Sequence, residues 1–176
     1  MKTKSLFHSL SLALLIFSIL LCVFASLRSQ AAEPESRYAA GTWSVSPFAS
    51  YRVHEFGEFN GKAGGGVALS YFAADNVAIE AETLSEGLDD SHWADAFTEA
   101  GVNLKGYLPL GRSGFAPYGL IGYTRGFDLD ENRMNAGAGI EWRAAKTFGL
   151  FADGRWTHDF RTLGHALFRV GGNLSF

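Results

Sequence analysis

From residue 42 to the last residue, apolar and polar side chains alternate with a period of two. That spacing sends successive side chains to opposite faces of a strand. It is cleanest at the end of the chain. Phe168, Val170, Gly172, Leu174 and Phe176 share one face, and Leu167, Arg169, Gly171, Asn173 and Ser175 share the other. Residues 42–53 set Trp43, Val45, Pro47, Ala49 and Tyr51 against Ser44, Ser46, Phe48, Ser50 and Arg52. Residues 62–72, 77–84 and 96–108 repeat the scheme, with Val67, Ile79 and Val102 among the oily positions and Lys62, Glu80, Glu82, Glu99 and Lys105 among the polar ones. In 115–125 the pattern is less regular, and Tyr118, Leu120 and Gly122 are expected on the oily face. Residues 134–143 and 150–158 place Ala138, Ile140, Trp142 and Trp156 on one side and Glu141, Arg143, Asp153 and Arg155 on the other. These segments predict eight strands, and none of them has a helical period.

The connections fall into two kinds. Residues 73–76, 109–114 and 144–147 read as tight turns. Residues 54–61, 85–92, 126–133 and 159–164 are longer and more acidic. Three turns on one rim and four loops on the other fit eight antiparallel strands with both ends of the chain on the turn side. On this pattern, on the Gly137-Ala138-Gly139 strand and on the terminal Gly172-Asn173-Leu174-Ser175-Phe176, residues 41–176 resemble the small eight-stranded outer-membrane barrels of the OmpA-type and opacity-type families. The resemblance implies an all-β, up-and-down antiparallel transmembrane barrel in the outer membrane of a diderm bacterium. It also implies contact with outer-membrane lipid and lipopolysaccharide, and Phe176 as the signal read by the barrel-assembly machinery.

The polar face decides which solvent the oily face meets. By the strand register it carries Arg52, Lys62, Lys105, Arg125, Arg143, Arg155 and Arg169, with Glu80, Glu82, Glu99, Glu141 and Asp153. A Lys or Arg facing lipid costs roughly 2–4 kcal/mol at mid-bilayer, so these groups are expected to point inward and pair as a lumen charge network. An eight-stranded barrel has an interior just wide enough for side chains to fill it. A structural or surface-interaction role therefore ranks ahead of a narrow ion channel. The outward aromatics sort by height into two interfacial belts, Trp43, Tyr71, Tyr118 and Trp142 near the turns, Trp93 and Trp156 near the loops.

The start of the chain adds the route of export. Lys2 and Lys4 precede an almost wholly apolar run from Leu6 to Leu27, and Ser29-Gln30-Ala31 offers small residues for cleavage. Residues 1–31 are expected to be a secretory signal peptide, and 32–40 a short periplasmic tail before the barrel at 41–176. Cys22 is the only cysteine, so the exported chain has no disulfide, thiolate nucleophile or Cys-based metal site. Without the leader, 12 Lys and Arg stand against 18 Asp and Glu. An acidic exported chain is a poor partner for nucleic acid.

Candidate chemistry is sparse. Ser85, Ser91, His92, His158 and Asp159 stand near the loop rim, where a serine, an imidazole and a carboxylate would make a hydrolytic set. Lipid A deacylases of this architecture carry a His followed two residues later by Ser. Here Phe160 stands at that position, so the lipid-modifying reading lacks its nucleophile and no catalytic residue is assigned. The run from Gly57 to Lys62 is one residue too short for a phosphate loop, and Ala63 follows where Ser or Thr is needed. The acidic loops do not follow the calcium-loop pattern. No metal or cofactor is expected.

Overall fold

The computed structural model describes residues 38–53, 61–86, 98–111, 113–127, 131–159 and 164–176. The expected leader, residues 32–37 of the tail, Trp93, Ser91, His92 and most of each longer connection lie outside the described residues. The strands are β1 (Trp43–Val53), β2 (Lys62–Ala74), β3 (Val77–Glu86), β4 (Glu99–Tyr107), β5 (Phe115–Gly126), β6 (Glu131–Trp142), β7 (Phe148–Asp159) and β8 (His165–Ser175). Each pairs antiparallel with the next, and β8 returns to β1 to close a barrel. Closure runs to the chain end, where the Phe176 N–H donates to the Trp43 carbonyl at 2.9 Å and the Trp43 N–H donates to that of Phe176 at 3.0 Å. With no free edge, the backbone polar groups of the wall are satisfied within the ladder, as a lipid-spanning sheet requires.

The alternation seen in the sequence becomes an inside and an outside. Val67, Leu69, Ile79, Val102, Leu104, Ile140, Leu150, Val170 and Leu174 are exposed on the outer wall. The intervening residues are buried in the lumen, many of them charged. Near the turns the outer wall carries paired rings, with Trp43 and Tyr71 centred 4.8 Å apart and Phe115 and Trp142 6.0 Å apart. Trp156 is exposed nearer the loop rim.

Strand β5 departs from the sequence expectation. Tyr118 and Leu120 are each 3% exposed and face the lumen, while Pro117, Gly119, Ile121, Tyr123 and Arg125 alternate with them on the outer face. The parity of the whole strand is the reverse of the expected one. Tyr118 is therefore not a belt residue. The physical reason is that its phenol, although large and apolar in body, has a carboxylate to bond inside. Burial of a ring with a satisfied hydroxyl serves as well as interfacial exposure.

The strands also run further than the alternation alone marks. β3 extends to Glu86, and β6 begins at Glu131. The β2–β3 turn is tight, with Asn76 at φ 64°, a left-handed conformation that Asn tolerates better than most residues.

Candidate functional site in the barrel lumen

Inward positions on neighbouring strands stack charged side chains into three tiers along the axis. The middle tier is centred on Arg169 of β8, whose side chain has no solvent exposure. Its Nε donates to Asp153 Oδ1 at 3.0 Å and its Nη2 to Asp153 Oδ2 at 2.6 Å. Its Nη1 donates to Glu82 and also reaches Glu80 at 3.4 Å. Arg155 donates to Glu82 Oε1 at 2.5 Å, and Lys105 pairs with Glu80. Asn103 and Ser70 add bonds to Glu80 at 3.2 and 3.4 Å, and the Tyr118 hydroxyl donates to Asp153 at 2.7 Å. Three cations thus meet three carboxylates drawn from β3, β4, β7 and β8. Each carboxylate holds several partners, the condition under which buried charge is tolerated.

The loop-side tier is built on Glu99. Arg52 grips it with two bonds, Nη1 to Oε1 at 2.9 Å and Nη2 to Oε2 at 2.7 Å, while its Nε lies 2.5 Å from Glu86. Arg133 also pairs with Glu99 and reaches Glu131 at 2.9 Å. Between this tier and the middle one is a void of about 10 Å³ bordered by Glu82, Glu99, Thr124 and Arg155, room for one water.

The turn-side tier is aromatic. Tyr38, Phe72, Tyr107 and Tyr118 form a chain of rings with neighbouring centres 4.9–5.9 Å apart. Arg143 caps it, its guanidinium carbon 4.3 Å from the Tyr38 ring centre and its Nε 2.6 Å from Glu141. Tyr38 comes from the tail. It is held by its carbonyl, which accepts from the Asn76 N–H at 2.9 Å, and by the Ala40 N–H donating to Asp75 at 3.0 Å.

The structure therefore brings Arg52, Glu80, Glu82, Glu99, Lys105, Glu141, Arg143, Asp153, Arg155 and Arg169 into the lumen. It does not bring Lys62 or Arg125 there. Lys62 has the inward parity but stands exposed at the loop-side end of β2, where its long stem reaches water. Arg125 is exposed on the outer face because β5 has the opposite parity to the expected one. Its Nη1 donates to Asn132 at 3.4 Å. Sequence reasoning missed Glu86, Glu131 and Arg133. Glu86 continues the inward period one step past Leu84, and Arg133 and Glu131 continue it one and two steps ahead of Asn135, but acidic neighbours make those steps look like loop. Of the hydrolytic candidates, Ser85 and His158 stand on β3 and β7, four strands apart in the ring and on its outer face. They do not meet.

The family model described as outer membrane protein beta-barrel domain matches residues 17–174. Solved structures give the same fold at low identity. The N-terminal β-barrel domain of Pseudomonas aeruginosa OprF is 16% identical with a TM-score of 0.58, covering 78% of this chain and 98% of that one. Neisserial surface protein A is 9% identical with a TM-score of 0.53, covering 77% and 96%. Ail of Yersinia pestis, in complex with the heparin analogue sucrose octasulfate, is 16% identical with a TM-score of 0.50, covering 78% and 99%. No curated protein matches the sequence.

Proposed function

The chain belongs to the outer membrane protein beta-barrel domain family, and from that premise we propose that it is a structural, surface-presenting barrel whose lumen is sealed by paired charge. The family places it in the bacterial outer membrane. The observation that carries the reading is the enclosure of Arg169 by Glu80, Glu82 and Asp153. A general pore needs a continuous wet path. Here the axis is crossed by an ion-paired layer, and the turn-side mouth is closed by four rings and Arg143.

Residues 1–31 act as the cleaved leader, and the strand ending at Phe176, 74% exposed, addresses the assembly machinery. The chain has a structural role and no catalytic step. Its loops are acidic in sequence, with Glu55, Glu58, Asp89, Asp90, Asp128 and Asp130. They suit cationic partners and not polyanions of the kind held by the Ail complex. Lipopolysaccharide is the surrounding lipid, met through the outer wall.

Planar-bilayer recording of the purified barrel tests the sealed lumen. The expected trace shows no stable conductance steps at 100 mV in about 1 M salt, where screening is strong and exposed ion pairs are weakened. Reproducible ion-selective steps from the wild-type barrel would overturn the reading in favour of a narrow channel.

A further inference from the structure

Among the described strand residues, two side chains with a basic group face the outer wall, Arg125 on β5 and His158 on β7, and no acidic side chain does. Both stand at the loop-side end of the wall, flanking β6. Apart from the Asn132 amide between them on β6, the rest of the described outer wall is apolar or hydroxyl-bearing. Below them the wall is hollowed. Register puts Gly119, Ala138 and Gly154 side by side on β5, β6 and β7, and a shallow depression bordered by Ala138, Ile140, Ala152, Gly154 and Phe168 opens there. A Cβ added to Gly119 would meet nothing within 4 Å.

We propose that this face of β5–β7 is a site for one phosphate-bearing, acylated lipid of the outer leaflet. The guanidinium of Arg125 binds the phosphate, His158 gives a second donor, and an acyl chain lies down β6 into the depression. Two arguments favour a lipid over other occupants. The first is charge complementarity. A guanidinium forks onto phosphate oxygens, and a cation near the interface is tolerated where one at mid-bilayer is not. The second is length. From Asn132, the bonded partner of Arg125, to Ala138 is a run of about 20 Å along a strand. At a strand tilt of about 40° that run descends about 15 Å, the depth of one leaflet of a core about 30 Å thick. A headgroup anchored at Arg125 thus sets its chain at the depression. This proposal rests on the placement of the loops at the outer surface. Labelling of an engineered loop cysteine in intact cells checks that placement separately.

The test is native mass spectrometry of the full barrel, released from detergent micelles with added lipid. Three probes are used: a bis-phosphorylated acylated disaccharide lipid, the same lipid without its phosphates, and inorganic phosphate alone. Wild type is expected to retain the phosphorylated lipid at least about fivefold better than the dephosphorylated one, the margin of one surface cation, and to retain no free phosphate. Arg125→Gln with His158→Gln should erase that preference, and Arg125→Lys should restore part of it. Ala138→Leu should weaken both lipids alike while keeping the preference. Heat-modifiable gel migration confirms that each variant is a folded barrel. Equal retention of both lipids by wild type, binding of free phosphate alone, or a double variant that keeps the preference would each overturn the proposal. Conductance steps in planar bilayers would instead defeat the sealed-lumen reading and leave this site standing.

Discussion

At the scale of single residues, the contrast between Asp153 and Lys62 shows what burial does to a charge. Asp153 accepts from Arg169 twice and from Tyr118 once, wholly within the lumen. Removing it leaves buried cations short of a partner, a loss of about 3–5 kcal/mol for a buried pair. Urea unfolding in lipid vesicles should show Asp153→Ala destabilised by about that much, while Lys62→Ala, exposed at a strand end, changes stability by less than about 1 kcal/mol. Glycines divide in the same way. A Cβ on Gly139 would lie 2.6 Å from the Tyr118 ring and from the Ala152 carbonyl, whereas the neighbouring Gly119 has open space. Gly139→Ala should therefore cost about 1–3 kcal/mol through overpacking, and Gly119→Ala should be close to neutral in the same assay. A loss shared equally by both would show that strand conformation, and not contact with Tyr118, sets the effect.

At the scale of elements, what could be read from the residues depended on how polar the inner face is. β1, β3 and β7 carry Ser, Glu, Asp and Arg inward, so a period of two marks both faces. In β5 the inward set is Ala116, Tyr118, Leu120 and Thr124, as apolar as the outward one, and periodicity alone cannot choose. Arg125 does not mark the inner face either, because it stands exposed at the loop-side end of the outer wall. The ring cluster at the turn-side mouth was also hidden, because Tyr38 lies outside the alternating region in a tail with no period of its own. The tight β2–β3 turn makes a prediction of its own. Asn76 sits at φ 64°, where a β-branched residue is strained by about 1–2 kcal/mol. Asn76→Val should lower stability by that amount and Asn76→Gly should not, as measured by the urea midpoint of each variant. Equal behaviour of the two would show that the turn relaxes.

At the scale of the whole molecule, the design inverts that of a soluble barrel, with the ionic groups on the axis and the hydrocarbon on the waist. The inversion follows from two solvents. Lipid excludes the guanidinium and carboxylate groups, and the closed ladder gives them an interior in which to neutralise one another. The number of strands and the inward direction of ten of the expected charges were legible because lipid punishes any other arrangement. The parity of β5, the reach of β3 and β6 into the loop-side tier, and the tail beneath the mouth are set by packing inside the lumen, where no simple period applies. The most direct measurement of this arrangement is an accessibility scan by spin label along β1 of the exported barrel, with single cysteines introduced from residue 44 to 51. The barrel predicts an alternation of period two, with labels at Val45, Pro47, Ala49 and Tyr51 open to oxygen dissolved in lipid, and labels at Ser44, Ser46 and Ser50 shielded from both oxygen and a water-soluble nickel chelate. Chelate access at the serine positions would reveal a wet lumen, and a scan without alternation would contradict the lipid-facing wall itself.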